Sequence, residues 1–232
     1  MINRAVPVAI LLATLPLSAF AQGITGGDLG IEYNAPLDGS DFGGTTYSGG
    51  VEYGFMCTFS MSVNAAAYKP DNISTTATNV TLHGTYQLSS AASVGGFYGY
   101  DSNDGEGLNL FGIEGGTEFM GGDVGAYIGR AEDDGTIFGI DGSYDLRSGF
   151  SVIGNVDLID VDDARLTQAS IGAEYQMAAG PQFYTQIGRI TGDVGDDSDS
   201  VGFFTIGAKV AFGAARGTTF DNRSIFEVIP GF

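Results

Sequence analysis

Acidic side chains recur in this sequence at alternate positions of segments that are rich in glycine, serine and threonine. Glu174, for example, stands between Gly172 and Gln176, with an apolar residue at each intervening position. Carboxylates that share one strand face can line a pore, where rings of negative charge attract cations and repel anions. The same phase predicts a larger pore lining, which consists of Glu32, Glu52, His83, Glu114, Glu118, Asp141, Asp145, Asp157, Glu174 and Lys209.

His83 is the only histidine of the chain, and it falls on the same polar face as the carboxylates. A histidine that acts as a general base needs a serine or a carboxylate within hydrogen-bonding reach. No sequence motif supplies that partner, and the acidic segment 101–107 lacks the glycine spacing of a calcium loop. We therefore predict no catalytic residue, no cofactor and no metal site.

The elements that must position these side chains are strands with one apolar and one polar face. Val80, Leu82 and Tyr86 alternate with Thr81 and His83, and this period of two residues is typical of such a strand. In a membrane barrel the apolar face meets lipid and the polar face meets the lumen. The pattern predicts strands over 27–34, 45–54, 56–68, 74–88, 92–101, 107–120, 123–131, 135–146, 150–159, 164–177, 181–191 and 201–212.

The connections between these strands are of two alternating kinds. Short and nearly uncharged ones, such as 89–91 and 120–122, take turns with more acidic ones, such as 34–44 and 192–200. Membrane barrels have short periplasmic turns and longer outer loops. The predicted fold is therefore an all-β, closed antiparallel transmembrane barrel of about twelve strands with acidic outer loops. The phase of the eleventh strand is ambiguous, so Arg189 could face either side.

Aromatic residues stand just before each short turn and again near the opposite strand ends. Amphipathic rings prefer the headgroup boundary of a membrane, so two levels of aromatics predict two interfaces. The level at the short turns, which we term the aromatic girdle, consists of Tyr53, Tyr86, Phe119, Tyr144, Tyr175 and Phe212. The other level consists of Tyr33, Tyr47, Tyr98, Tyr100, Phe138 and Phe204. A soluble β-sandwich, the alternative, also alternates aromatics but does not require them at one level.

The ends of the chain predict export and a three-part organisation. Arg4, the apolar run 8–17 and the Ala19-Phe20-Ala21 cleavage pattern are typical of a secretory signal peptide. We predict a signal peptide over 1–21, a barrel over 22–213 and a periplasmic tail over 214–232. The formal net charge of −19 leaves no basic patch, which argues against nucleic acid as a partner.

The signal peptide and the hairpin pattern resemble small Gram-negative outer-membrane porin-like proteins. The last strand, in which Phe204, Ile206, Val210 and Phe212 alternate with other residues, is similar to the C-terminal assembly signal of that family. The chain continues past Phe212 to a second terminal phenylalanine, Phe232, so either one could carry the signal. The resemblance implies an outer-membrane location, contact with lipid and lipopolysaccharide, and recognition by the barrel-assembly machinery.

Three functions follow from these features, in decreasing order of support. The first is a porin-like channel for passive diffusion of small solutes, with a preference for cations. The second is a non-conducting barrel that serves as an outer-membrane anchor or a surface structural protein. The third is an outer-membrane barrel hydrolase that uses His83. Small inward residues, such as Gly50, Gly95 and Gly99, argue that wall side chains alone do not fill the lumen.

Overall fold

The structure is a computed structural model that describes residues 23–39, 43–56, 58–132, 135–161, 164–178, 180–195, 197–213 and 218–229. The predicted signal peptide and Phe232 lie outside these residues. No helix in the described part of the chain is long and apolar enough to cross a membrane.

Twelve strands form one closed antiparallel barrel, which confirms the predicted fold class. Each strand pairs with the next one along the chain, and β1 closes the barrel by pairing with β12, where Gly27 lies opposite Phe212. The strands are β1 (Gly23–Pro36), β2 (Gly44–Met56), β3 (Phe59–Pro70), β4 (Ala77–Ser89), β5 (Ala92–Asn103), β6 (Glu106–Glu118), β7 (Gly122–Ala131), β8 (Thr136–Asp145), β9 (Phe150–Val161), β10 (Ala164–Gln176), β11 (Gln182–Val194) and β12 (Asp197–Phe212).

We name the two ends of the barrel by the connections that were predicted for them. The turn end carries the connections after β2, β4, β6, β8 and β10, and the loop end carries those after the odd-numbered strands. Strand pairing continues into several acidic segments at the loop end. Asn103 pairs with Glu106 around Asp104 and Gly105, whose φ angles of 51° and 88° suit a two-residue hairpin turn. β11 likewise reaches Val194, within a segment predicted as a loop, because backbone pairing does not depend on the apolar period that ends there.

The two faces of the barrel are inverted relative to a soluble protein. Outward side chains such as Ile113, Ile171 and Phe111 are large, apolar and exposed. Inward side chains such as Thr81 and Asn79 are polar and buried. Apolar residues outside and polar residues inside are the arrangement of a transmembrane barrel.

The last described segment, residues 218–229, lies inside the barrel, and we call it the tail. Its start contacts Glu52 near the turn end of β2, and its middle contacts Asp101 near the loop end of β5. The tail ends in a short 3₁₀ helix, η1 (Ile225–Glu227), capped by the Ser224 hydroxyl. The sequence had suggested a periplasmic tail over 214–232; the described part of it runs through the lumen instead, because the wall offers partners for its polar groups.

Candidate functional site

The tail is attached to the walls of β3 and β4 through its backbone. Asn64 Nδ2 donates to the carbonyl of Phe220 at 2.7 Å, and Asn79 Nδ2 donates to the carbonyl of Arg223 at 2.9 Å. The Arg223 amide donates to Thr81 Oγ1 at 3.1 Å. A segment without regular secondary structure needs such partners when it is buried, because unpaired peptide groups are costly. These inward polar side chains therefore supply hydrogen bonds that the backbone of a strand would obtain from its neighbouring strands.

A buried cluster of charges fixes the middle of the tail. Glu114 accepts a hydrogen bond from Arg223 Nε at 3.1 Å on one oxygen and contacts His83 Nδ1 at 2.6 Å with the other. The Arg223 guanidinium also lies 4.3 Å from the centre of the Tyr127 ring. The His83 and Glu114 side chains have no exposed surface. Breaking a buried ion pair by removing one partner typically costs about 3–5 kcal/mol, so this cluster is a strong anchor.

Apolar contacts extend the attachment on both sides of Arg223. Phe220 stacks on His83 with 6.2 Å between ring centres, and Phe226 packs against Tyr68 at 5.7 Å. Val228 joins a buried cluster that includes Leu110. The tail therefore contributes apolar surface to the interior of a barrel whose own inward residues are mostly polar or small.

Glycines in the wall provide the groove in which the tail lies. A Cβ atom built on Gly95 would lie 3.0 Å from the Phe220 ring, and one on Gly99 would lie 3.0 Å from the carbonyl oxygen of Arg223. A Cβ on Gly50 would lie 2.9 Å from Thr218 Cγ2. Side chains at these positions would occupy the space that the tail fills.

We expect Gly99→Ala to weaken the docking of the tail, because the new methyl group meets a backbone atom that cannot rotate away. Trypsin cleaves after arginine, and a docked Arg223 is 7% exposed, so cleavage at this site reports release of the tail. Mass spectrometry should show faster cleavage after Arg223 in Gly99→Ala than in the native protein. Gly84→Ala is the matched control, since a Cβ there meets nothing within 4 Å. Equal cleavage rates in both variants would contradict the groove.

The side of the lumen that faces away from β4 and β5 contains an open cavity of about 440 Å³. Its lining reaches from Gln182 at the turn end to Asn34 at the loop end. Carboxylates dominate its charge, with eight against two bases. The carboxylates are those of Asp28, Glu32, Asp123, Asp141, Asp157, Glu174, Asp221 and Glu227, and the bases are Lys209 and Arg223.

The two bases of the cavity are already engaged by acids. Lys209 Nζ lies 2.8 Å from Asp221 and 3.6 Å from Asp28, and Arg223 pairs with Glu114. The nearby Lys209 ammonium lowers the pKa of the Asp221 carboxyl to about 2, so this tail acid stays charged at neutral pH. Other acids of the cavity have neutral partners: the Tyr127 hydroxyl donates to Asp157 at 2.9 Å, and the Tyr184 hydroxyl donates to Glu32 at 2.8 Å. Burial raises the pKa of the Glu227 carboxyl, the other acid of the tail. The lining still contains more acids than bases, so the cavity has a formal negative excess.

The predicted pore-lining residues fall into three groups in the structure. Those that line the cavity are Glu32, Asp141, Asp157, Glu174 and Lys209. Those that contact or lie beneath the tail are Glu52, His83 and Glu114. Glu118 and Asp145 lie exposed at the turn ends of β6 and β8, outside the cavity.

Several charged residues of the lumen were absent from the predicted lining. Asp28 lies on β1 in the same phase as Glu32, and Asp123 lies on β7 in the inward phase of Gly125, so alternation alone could have identified both. Asp221, Arg223 and Glu227 belong to the tail, where polar and apolar residues do not alternate as they do in a strand.

The aromatic girdle lies on the outward surface. All six of its residues are exposed. Phe150 packs against Tyr175 with 4.6 Å between ring centres, and Tyr53 packs against Phe55 at 4.9 Å. Such ring pairs widen the aromatic surface at this level of the barrel.

His83 has the neighbours of a hydrolytic histidine without its accessibility. It lies opposite Ser62 in the β3–β4 register, and Glu114 contacts its Nδ1 atom at 2.6 Å. A carboxylate, a histidine and a serine form the triad of serine hydrolases. However, His83 is 0% and Ser62 is 1% exposed, and no hydrogen bond joins them. This geometry supports an anchor for the tail rather than a site that a substrate reaches.

No protein-family model matches the sequence, and no curated protein matches it. Solved structures do share the fold. A KdgM porin has a TM-score of 0.57 and 10% identity, over 78% of this chain and 97% of that one. A channel from the outer membrane of Pseudomonas putida F1 has a TM-score of 0.53 and 14% identity, over 84% and 97% of the two chains. The likeness is to the fold of outer-membrane β-barrel channels.

Proposed function

We propose that the protein is an outer-membrane channel for passive diffusion of small solutes, that it prefers cations, and that its own tail narrows it. The observation that carries this proposal is the cavity beside the tail, which is lined by eight carboxylates and two bases. The fold shared with outer-membrane channels supports the same class of function.

Water and mobile cations must occupy the cavity if its acids are charged. A dry lumen would impose a large desolvation cost on Asp141, Asp157 and Glu174. None of the three has a basic side chain within 4.0 Å among the described residues. Walls of low dielectric constant focus the field of these charges across the passage, which raises the local concentration of cations. Anions are repelled by the same field.

The size of the cavity sets the class of solute. The tail occupies the side of β3 to β6, and beside it, among the described residues, a space of about 440 Å³ is open to water. We expect inorganic cations and small neutral or cationic solutes to pass. Polyanions are disfavoured by both charge and width.

Neutralising acids of the cavity tests the proposed selectivity. The triple variant Asp141→Asn, Asp157→Asn, Glu174→Gln halves the formal negative excess of the lining, from six to three. We expect its reversal potential in a potassium chloride gradient to move from the cation side towards zero, most clearly at low salt, where screening is weakest. Glu118→Gln is the control, because Glu118 lies outside the cavity. An unchanged reversal potential in the triple variant would refute this selectivity mechanism.

Fractionation tests the proposed location. The protein should be recovered with the outer membrane, begin at Gln22, and run on gels with heat-modifiable mobility, since closed barrels resist unfolding when every strand is paired. Recovery of a mature soluble protein from the periplasm would contradict the proposed location.

One observation favours the second candidate, a non-conducting barrel. The tail contacts the wall from Glu52 near the turn end to Asp101 near the loop end, so it extends along most of the lumen. A barrel that is blocked in this way could serve as an anchor. Recordings that show no current from the full chain, together with a current after removal of the tail, would support this candidate.

A further inference from the structure

Two carboxylates of the cavity are held in the same way on different sides of the lumen. On one side, Tyr127 of β7 lies opposite Gly139 of β8, which in turn lies opposite Asp157 of β9. A Cβ atom on Gly139 would overlap with the Tyr127 ring, so the glycine is what allows this ring to cross β8. The Tyr127 hydroxyl thereby reaches Asp157 and donates to it at 2.9 Å.

The same arrangement recurs on the other side of the cavity. Tyr184 of β11 lies opposite Gly207 of β12, which in turn lies opposite Glu32 of β1. A Cβ atom on Gly207 would overlap with the Tyr184 ring, and the Tyr184 hydroxyl donates to Glu32 at 2.8 Å. In both places a tyrosine crosses a glycine of the next strand and orients an acid of the strand after it.

An asparagine completes each arrangement. Asn155 Nδ2 donates to the second oxygen of Asp157 at 2.5 Å, and Asn34 Nδ2 donates to the second oxygen of Glu32 at 2.9 Å. Among the described residues, no basic side chain lies within 4.0 Å of either carboxylate. Four neutral donors therefore position the two acids without supplying a counter-charge.

The two acids face one passage from different directions. Both line the open cavity, and both lie in the loop-end half of their strands. Strands β10, β11 and β12 lie between β9 and β1 in the closed barrel. A solute that enters the cavity from the loop end can therefore contact Asp157 and Glu32 at the same time.

A buried amide beside Asp157 has an acceptor without a partner. Gln168 lies opposite Asp157 in the β9–β10 register, lines the cavity and is 7% exposed. Its Oε1 atom accepts no hydrogen bond from the described residues. Buried polar atoms are normally paired, so this acceptor next to a carboxylate without a counter-charge favours a ligand group with several donors. A primary ammonium group has three.

We propose that Asp157 and Glu32 bind the two ammonium groups of a linear diamine, with Gln168 as a further acceptor beside Asp157. Hydrogen bonds between an ammonium group and a carboxylate are stronger than those between neutral groups. Acids that are already oriented by tyrosine and asparagine need little rearrangement when the ligand binds. The inference rests on the proposed function, because it names a class of solute that the cation-preferring passage would hold.

Calorimetric titration of the detergent-solubilised full chain tests this assignment. Linear diamines from putrescine to decamethylenediamine are compared with monoamines of the same chain length, so no spacing is chosen in advance. The native protein should bind its best diamine about 10-fold more tightly than the corresponding monoamine, because the second ammonium group gains a charge-assisted hydrogen bond of its own.

Substitution of either acid should abolish this difference between diamine and monoamine. The variants are Asp157→Asn and Glu32→Gln, each of which leaves one of the two carboxylates in place. Glu118→Gln is the control and should retain the difference, because it removes a carboxylate that lies outside the cavity. Heat-modifiable mobility shows that each variant is folded.

Two results would overturn the assignment. One is equal affinity of the native protein for diamines and monoamines at every chain length, and the other is loss of the difference in Glu118→Gln. The titration needs no current. Failure of the channel proposal would appear separately, as an absence of current or an anion preference in bilayer recordings of the native protein.

Discussion

Deletion of residues 214–232 is expected to raise the single-channel conductance several-fold. The deletion removes the segment that lies against β3 to β6 and joins its volume to the cavity. It also frees Glu52, Asp101 and Glu114, whose carboxylates otherwise bind tail groups. The deletion removes Asp221, Arg223 and Glu227 from the lining and leaves six carboxylates and one base, so the wider pore should still prefer cations. Planar-bilayer recordings of the full and the truncated chain measure the conductance, and the reversal potential in a salt gradient measures the cation preference.

The truncated barrel should still fold, because the tail takes no part in the strand ladder. β12 ends at Phe212 and pairs with β1. Heat-modifiable mobility provides the folding control for the recordings. If the truncated protein inserts and its conductance equals that of the full chain, the tail does not obstruct the lumen. If it fails to insert, Phe232 rather than Phe212 carries the assembly signal.

Arg223→Ala should release the tail without shortening the chain. Among the described residues, the substitution leaves the buried Glu114 with His83 as its one remaining polar partner, at a cost of about 3 kcal/mol or more. That cost corresponds to an increase of about 100-fold in the undocked population. Recordings should show transitions between the native level and the level of the truncated protein. Arg147→Ala, which removes an exposed turn arginine, should show the native level alone.

A second variant separates the ion pair from the volume of the arginine side chain. Glu114→Gln with Arg223→Gln removes both charges and retains groups that can form hydrogen bonds. It should dock more firmly than Arg223→Ala, since no unpaired charge is left in the wall. Equal release in both variants would mean that packing, rather than charge, anchors the tail.

The strands were predictable from the sequence because each one has two different environments. The alternation of Val80, Leu82 and Tyr86 with Thr81 and His83 fixes both the strand and its orientation. The same rule assigned Asp141, Asp157 and Glu174 to the lumen, where they line the cavity. The alternation of apolar and polar residues is a weaker guide near the loop end, where both faces of a strand meet water. In that region β11 and the β5–β6 hairpin extend beyond their predicted bounds.

The position of the tail was not predictable in the same way. Gly50, Gly95 and Gly99 correctly indicated unfilled space in the lumen, but a row of small residues does not identify what fills it. The tail itself has no periodicity, and its partners on β2 to β6 are more than 100 residues away; Arg223 and Glu114, for example, are separated by 109 positions. Only the closed barrel brings these groups together. Glu52, His83 and Glu114 were therefore assigned to a pore surface that the tail in fact covers.

The reversal potential of the full-length protein in a potassium chloride gradient tests the central claim most directly. A lining with eight carboxylates and two engaged bases predicts a small current with a reversal potential on the cation side. A shift to low salt should increase this preference, because the charges of the passage are then screened less. A reversal potential on the anion side, or no current from the full-length chain, would contradict the account.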